Sequence, residues 1–277
     1  MNATGDGSAQ RGITTARREG WWLHRRRAAC VGALVFLGAH AGVASAQTGQ
    51  SQQPVSPGSV APATLQPGTM AARLAACTAC HGESGSGSAD GYFPRIAGKP
   101  PDYLYNQLVN FRDGRRRYLP MQRLLEYQSD AYLMEMAQWF SRETPAYPRI
   151  ATQQGSAQRQ RGEQLVRQGD AARNIPACTA CHGAAMTGVL PASPGLLGLP
   201  HDYIASQFGA WRTGMRQAAA PDCMAEVAKR LTPEDVAAVA AWLSSQPVSQ
   251  AGPPEPAVTG PLPMRCGSQP YTGKEAP

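Results

Sequence analysis

Apolar residues recur along this chain at the spacing of an amphipathic helix. Tyr103, Gln107 and Phe111 lie four residues apart, which places them on one helix face, and Gly114 supplies the residue type that commonly ends a helix. Residues 203–211 repeat this run, and a glycine again follows three residues later. No stretch alternates apolar and polar residues with the two-residue period of a strand. The pattern therefore predicts an all-α protein.

Each half of the chain carries signals for further helices. In the second half, Thr232 is a good N-cap residue, Pro233 suits the first helical turn, and two acidic residues follow. The corresponding helix of the first half starts near Ser129. A shorter helix is predicted to end at a Cys-x-x-Cys-His motif in each half. We therefore expect three main helices per half.

These helices belong to a duplicated domain. The hexapeptide Cys-Thr-Ala-Cys-His-Gly at residues 77–82 recurs at residues 178–183, and Met121 corresponds to Met224 after a three-residue insertion. A repeat this long, with gaps of only a few residues, indicates two copies of one unit. We predict one domain at residues 68–145 and a second at 161–248, with a linker at 146–160 and a Pro/Gly-rich tail at 249–277.

Residues 1–46 have the order of a secretory signal peptide. Arginines precede an apolar run at residues 28–43, and small residues follow up to Ala46. We expect export to the periplasm with cleavage after Ala46, and a flexible spacer at residues 47–67 that is rich in Gln, Ser, Pro and Gly. The apolar run has only 16 residues, which is short for a membrane span, so an uncleaved anchor is the alternative.

Removing this leader changes both the charge and the cysteine count. The formal net charge of +7 falls to +3, because six of the 26 basic and two of the 19 acidic residues lie in the leader. A basic surface for nucleic acid is therefore not expected. Of seven cysteines, Cys30 is lost, four lie in the repeated motifs, and Cys223 and Cys266 remain. An even remainder in an exported chain predicts one disulfide.

The two Cys-x-x-Cys-His motifs carry the clearest chemical signal. Two cysteines at this spacing can form thioether bonds to the vinyl groups of a haem, and the histidine that follows can bind the iron. The residues are Cys77, Cys80 and His81 in the first repeat, and Cys178, Cys181 and His182 in the second. A redox-active dithiol and a zinc site are the alternatives. Because each pair precedes a histidine and lies in its own repeat, we expect two covalently bound haem c groups.

A haem iron that only transfers electrons needs a sixth ligand. Met121 and Met224 are the candidates, because they are in register and we expect both to lie in loops before the last helix of their repeat. Methionine that only fills the core is the alternative. Cys223 is a second candidate, as a thiolate ligand, although Cys266 gives it a partner for a disulfide.

Other residues are suited to support a haem. A carbonyl near Pro94 or Pro194 can accept a hydrogen bond from the free ring N–H of the histidine ligand and fix its orientation. An arginine recurs at two equivalent positions of the repeats: Arg112 and Arg116 in the first, Arg212 and Arg216 in the second. They suit pairing with haem propionates, but solvated helix ends account for them equally well. We assign Tyr103 and Tyr203 to packing.

Together these residues resemble the dihaem class I c-type cytochromes of the cytochrome c4 kind. The resemblance extends over residues 68–246 and rests on the two Cys-x-x-Cys-His-Gly motifs, the Pro-x-(Ile/Leu)-x-Gly segments and the in-register methionines. It implies two cytochrome c folds in tandem, His/Met ligation of each iron and periplasmic electron delivery between respiratory complexes. The chain departs from that pattern in the insertion before Met224, in the Cys223 and Cys266 pair and in its long tails.

The expected function is that of an electron carrier and not of an enzyme. Its redox partners are expected to be a terminal oxidase, a bc-type complex or a periplasmic dehydrogenase, with membrane association only through them. A dihaem oxidoreductase, such as a thiosulfate dehydrogenase or a peroxidase, is the alternative, and it requires one iron with an open, cysteine or labile ligand position. A third possibility is the cytochrome subunit of a larger dehydrogenase.

Overall fold

The computed structural model describes residues 68–147, 156–248, 252–258 and 260–269. All of them belong to one compact unit, residues 60–277, whereas the second unit, residues 1–59, lies outside the described residues. The predicted signal peptide and spacer therefore also lie outside them. Among the described residues, no helix has both the length and the apolar character needed to cross a bilayer.

Helices dominate this part of the chain. The first repeat contains α1 (Met70–Arg73), α2 (Ala75–His81), α3 (Pro101–Arg112), α4 (Leu119–Leu125) and α5 (Asp130–Arg142). The second contains α6 (Ser156–Gln168), α7 (Thr179–His182), α8 (His201–Arg212), α9 (Cys223–Arg230) and α10 (Pro233–Ser244). Two 3₁₀ turns lie at Glu83–Gly85 and Ala171–Arg173. The strands β1 (Gly188–Val189) and β2 (Ser193–Pro194) form a two-residue antiparallel ladder. The all-α prediction is confirmed.

In the first repeat, α5 packs along α3 and buries the centre of the domain between them. α5 starts where predicted, and Ser129 caps it: its hydroxyl accepts a hydrogen bond from the backbone N–H of Tyr132 at 3.3 Å. The helix then buries Leu133 and Phe140 on the same face, seven residues apart, which is the spacing expected of an apolar stripe. Each such fully buried side chain stabilises the fold by about 2 kcal/mol.

In the second repeat, α10 packs against both α6 and α8. Its start is a capping box, in which Thr232 and Asp235 each accept a hydrogen bond from the other's backbone N–H. The contact with α6 is close because Gly162 faces the backbone of Ala238, where a Cβ would overlap the carbonyl oxygen. α6 begins at Ser156, five residues before the predicted start of this domain.

The two repeats meet along a short antiparallel backbone contact. The N–H of Arg117 donates to the carbonyl of Met215, and the N–H of Gln217 donates to the carbonyl of Arg115, both at 2.7 Å. Arg116 and Arg216, the same position of the two repeats, form an isolated bridge between these bonds. The junction is therefore approximately two-fold symmetric, and it follows α3 and α8 directly.

Candidate haem-binding site

One continuous cavity of about 1210 Å³ extends through both repeats. Its wall contains all eight residues predicted to hold haem: Cys77, Cys80, His81, Met121, Cys178, Cys181, His182 and Met224. Much of the remaining wall is formed by apolar side chains from α3, α5, α8 and α10, including Leu104, Phe111 and Ile204. The fold therefore brings the two motifs, 101 residues apart, to a shared apolar space.

The two histidines have the same geometry. α2 ends at His81 and α7 ends at His182. The Nδ1 atom of His81 lies 2.9 Å from the carbonyl oxygen of Pro94, and that of His182 lies 2.8 Å from the carbonyl oxygen of Pro194. With Nδ1–H donating to the carbonyl, Nε2 keeps its lone pair for a metal. The predicted contact of each histidine ring with the carbonyl of Pro94 or Pro194 is confirmed.

Burial sets the protonation of these motifs. It lowers the pKa of both His81 and His182, which favours the neutral imidazole that a metal requires. It also raises the pKa of Cys77 and Cys181, and it raises the pKa of Cys178 to about 12. All four motif cysteines are free thiols in this structure, so they are available for thioether bonds.

Both methionines lie in short helices and not in loops, which corrects that prediction. Met121 is in α4, whose first turn holds Pro120, and Met224 is in α9, which is capped by Asp222 through a 3.0 Å bond from the N–H of Ala225. Each methionine is half-buried and packs against the core of its own repeat. Their role as iron ligands stays a prediction.

Cys223 and Cys266 form a disulfide, as predicted from the cysteine count. Because both sulfur atoms are used in that bond, Cys223 is not a free thiolate in this structure, and the alternative in which it binds iron is wrong here. The disulfide also brings Met264 to the cavity, where it packs against the second core. Sequence reasoning missed Met264, since it lies in a Pro-rich tail without a counterpart in the first repeat.

The recurring arginines divide into two groups. Arg112 pairs with Asp113 and Asp130 at 2.9 and 2.6 Å, and neither Arg112 nor Arg212 lines the cavity. Arg116 and Arg216 do line it, and Arg216 is only 6% exposed. For this second pair the interpretation as solvated helix ends is wrong, because both lie in the contact between the repeats, where Arg216 is buried and Arg116 is half-buried.

Arg116 and Arg216 reach across the junction in matching ways. Arg116 donates to Gln107 in its own repeat at 3.0 Å and to Tyr203 and Gln207 in the other at 3.0 and 2.8 Å. The guanidinium of Arg216 contacts Tyr103, Gln107 and Gln207 in return. The two tyrosines thus do more than pack.

The network formed by these arginines, glutamines and tyrosines carries positive charge. Burial and then the like charge of Arg116 lower the pKa of Arg216. Burial raises the pKa of Tyr203, but the two guanidiniums outweigh it and the net pKa is lowered. Within the part of the chain that the structure describes, no carboxylate pairs with Arg116 or Arg216. The network therefore calls for an anion from a bound group.

These observations test whether a haem fits. The buried N–H of Trp211 and the Nε–H of Arg95 have no acceptor among the described residues, although both side chains line the cavity. A buried donor without an acceptor costs about 1 to 3 kcal/mol. Carboxylates on a bound group would accept hydrogen bonds from these donors and from the guanidiniums of Arg116 and Arg216. Two free thiols and a neutral imidazole also lie on the cavity wall in each repeat. These groups together fit a covalent haem in each repeat.

Lys99 is a further buried group that sequence reasoning missed. Its ammonium donates to the carbonyl of Gly195 in the other repeat at 2.6 Å, and it lines the cavity. Burial, and then the charge of Arg95, lower the pKa of Lys99 from 10.5 to about 7. The signal that could have found it is the comparison of the repeats, since Leu199 holds the same position.

A zinc site is not supported. Among the residues that the structure describes, no group of three or more His, Cys, Asp and Glu side chains is arranged to hold a metal ion. The two cysteine pairs are therefore not gathered into one tetrahedral cluster.

Comparison with known proteins gives one consistent result. The family model for cytochrome c matches residues 160–247. A thiosulfate dehydrogenase electron acceptor from Thiomonas intermedia is 38% identical over 175 residues, which are 63% of this chain and 80% of that protein. Cytochrome c4 from Pseudomonas aeruginosa is 34% identical over 178 residues, which are 62% of this chain and 84% of that protein.

Solved structures agree with these relatives. Cytochrome c4 from Acidithiobacillus ferrooxidans is 28% identical, with a TM-score of 0.53 and coverage of 62% of this chain and 99% of that one. Thiosulfate dehydrogenase from Marichromatium purpuratum is 31% identical with a TM-score of 0.57. The match covers 63% of this chain but only 37% of that longer protein.

Proposed function

This chain belongs to the cytochrome c4 family of class I c-type cytochromes, and from that premise we propose that it is a periplasmic electron carrier with two covalent haem c groups. It would accept single electrons from a dehydrogenase and pass them to a respiratory partner. The observation that carries the proposal is the shared cavity, in which each repeat supplies a free Cys-x-x-Cys pair, a neutral histidine and a methionine.

The chain's residues have separate tasks at each haem. The thiols of Cys77 and Cys80 would tether the group as thioethers, and His81 would present Nε2 to the iron while the carbonyl of Pro94 holds its ring. Cys178, Cys181, His182 and Pro194 do the same in the second repeat. When bound, haem supplies an iron that alternates between the Fe(III) and Fe(II) states by gaining or losing one electron.

We assign Met121 and Met224 as the residues that would supply the second protein ligand to each iron. Thioether ligation raises a haem reduction potential relative to a thiolate. With a histidine and a methionine as its protein ligands, neither iron would have an open position for a substrate, which favours a carrier over an oxidoreductase. The disulfide at Cys223 supports this assignment, because it removes the thiolate that the oxidoreductase alternative would use.

The electron donor we propose is a thiosulfate dehydrogenase. Two relatives, from Thiomonas intermedia and Stutzerimonas stutzeri, are named as electron acceptors of that enzyme, at 38% and 34% identity. Export to the periplasm fits the predicted leader, and it fits a disulfide, which persists in oxidising compartments.

The test combines mass with electron counting. The exported chain should carry two haems by intact mass, and a thiosulfate dehydrogenase supplied with thiosulfate should reduce both, with two electron equivalents per chain. The chain alone should leave thiosulfate unchanged. A chain with fewer than two haems would contradict the proposal, and oxidation of thiosulfate by the chain alone would favour the oxidoreductase instead.

A further inference from the structure

The cavity reaches the surface differently in the two repeats. In the first repeat, the wall residues Cys80, Tyr92 and Tyr118 are exposed, and Tyr92 is 63% exposed. Tyr92 precedes Pro94 on the histidine side, whereas Tyr118 precedes Met121 on the methionine side. Their hydroxyl groups are 3.2 Å apart. Two tyrosines therefore meet over the cavity of the first repeat, in contact with solvent.

Neither tyrosine exists in the second repeat. At an offset of 100 residues, Tyr92 corresponds to Ala192 and Tyr118 corresponds to Ala218. Both alanines still line the cavity, yet Ala192 is only 6% exposed. Because the small side chain of Ala192 cannot fold over itself, another part of the chain must cover it.

The C-terminal tail provides this cover. Leu262, Met264, Cys266 and Ser268 are half-buried and line the cavity, while the residues between them are exposed. Such alternation is what an extended segment shows when one side lies against a surface. The tail therefore lies over the cavity with every second side chain directed inward.

The tail is anchored on both sides of the opening. On the methionine side, Cys266 is bonded to Cys223 next to Met224, and the N–H of Gly267 donates to the carbonyl of Pro221 at 2.9 Å. On the histidine side, Gln269 donates to the hydroxyl of Ser193 at 2.6 Å, beside Pro194. The segment thus runs between the two positions where tyrosines stand in the first repeat.

An earlier part of the tail is fixed as well. Glu255 exchanges backbone hydrogen bonds with Gly188 and Leu190, both at 2.8 Å, and its carboxylate accepts one from the N–H of Ala185 at 3.0 Å. These contacts hold the tail to the loop that follows the second Cys-x-x-Cys-His motif. Residues 252–258 and 260–269 are therefore attached to the domain at several separate points.

We propose that tail residues 260–269, held by the Cys223–Cys266 disulfide, are a built-in cover that closes the second haem site to solvent and to other proteins. The haem that another protein can approach is then that of the first repeat. This inference rests on the proposed function in that it takes a haem to be bound in each repeat.

The cover has a measurable electrostatic effect. Oxidised haem carries one more positive charge than reduced haem, and an apolar cover disfavours that charge by excluding water. Removing the cover should therefore lower the reduction potential of the second haem. We expect a shift of about tenfold in its one-electron equilibrium, which corresponds to about 59 mV.

The experiment compares solvent access at the two haems. A soluble gadolinium chelate is added to the oxidised holoprotein, and broadening of the haem methyl proton signals is recorded, with Met121→Ala and Met224→Ala assigning signals to repeats. In the wild type, the chelate should broaden the first haem strongly and the second weakly. Equal broadening of both would overturn the inference, and this comparison needs no tail variant.

Two variants then open the second site. One carries Cys223→Ser with Cys266→Ser, and the other ends after Gln250 and carries Cys223→Ser. In both, the second haem should become as accessible as the first and its potential should fall, while the first haem is unchanged. The matched control, Tyr92→Ala with Tyr118→Ala, should raise broadening at the first haem only.

The shortened chain decides the matter when intact mass shows that both haems are attached. If its second haem then keeps both its protection and its potential, the tail is not the cover. The measurement involves no dehydrogenase, so a failure to accept electrons from one would contradict the proposed function and leave the cover standing.

Discussion

Asp235 should stabilise the second domain through its charge, and Asp235→Asn tests this. The carboxylate is 6% exposed and accepts bonds from Arg161 at 3.0 Å and Arg173 at 2.6 Å. Burial alone raises its pKa, but the bonds from Arg173, the Thr232 N–H and Arg161 outweigh burial and lower the pKa from 3.8 to about 2.

The shift converts to a free energy of about 2 kcal/mol at 1.36 kcal/mol per pKa unit. Arg161 and Arg173 are 35% and 33% exposed, so water screens part of the attraction. We therefore expect Asp235→Asn to lower the free energy of unfolding by about 1 to 2 kcal/mol at neutral pH. Asparagine can still accept the bond from the Thr232 N–H, so the helix cap is kept.

The pH dependence separates charge from packing. Since folding lowers the pKa of Asp235, its contribution is fully present above pH 3.8 and is lost as the pH falls towards about 2. Urea unfolding of the holoprotein, followed by circular dichroism, should show wild type and variant converging over that range. A deficit just as large near pH 2 would refute the electrostatic reasoning. Asp130→Asn, at a residue 66% exposed, is the control and should cost less than about 1 kcal/mol.

Two further predictions concern the haem sites. If each methionine binds one iron, Met121→Ala and Met224→Ala should each remove about half of the weak far-red absorption of the oxidised protein. The controls Met264→Ala and Met215→Ala should leave that band intact. Loss of the band in Met264→Ala would mean that the tail supplies the ligand. Lys99→Met should flatten the pH dependence of stability. Because folding lowers the pKa of Lys99 from 10.5 to about 7, the unfolded chain binds more protons than the folded chain between these values, and wild-type stability rises with pH across that window. Urea unfolding at about pH 6 and about pH 10 would measure this rise in the wild type and its loss in the variant.

The parts of this site that sequence reasoning predicted correctly depend on local spacing. The Cys-x-x-Cys-His turn fixes two thiols and an imidazole within one helical turn, and the Pro94 and Pro194 carbonyls follow at a nearly constant distance along the chain. The helix caps at Ser129 and Thr232 are local in the same sense. Such features need no knowledge of how the domains pack.

The features that were missed depend on contacts between distant segments. Arg116 looks like a residue after a helix end, and only the approach of the second repeat turns it into a half-buried donor to Tyr203 and Gln207. Lys99 likewise finds its acceptor 96 residues away. No periodicity along the chain encodes these pairs, because they arise from the placement of one repeat against the other.

Differences between the repeats carry the functional information that their common motif lacks. Where the first repeat has Tyr132, which stacks on Arg73 at 4.3 Å, the second has Asp235 with its two arginines, so both lock the same helix start by different chemistry. That exchange preserves the fold and leaves access to the cavity unchanged. The alanines that the second repeat has at the positions of Tyr92 and Tyr118 do change that access, because the tail fills the space that the tyrosine rings would occupy. A duplicated electron carrier with identical openings would offer two equivalent entry points for electrons. Covering one of them leaves a single entry point, so that electrons would reach the two haems in a fixed order.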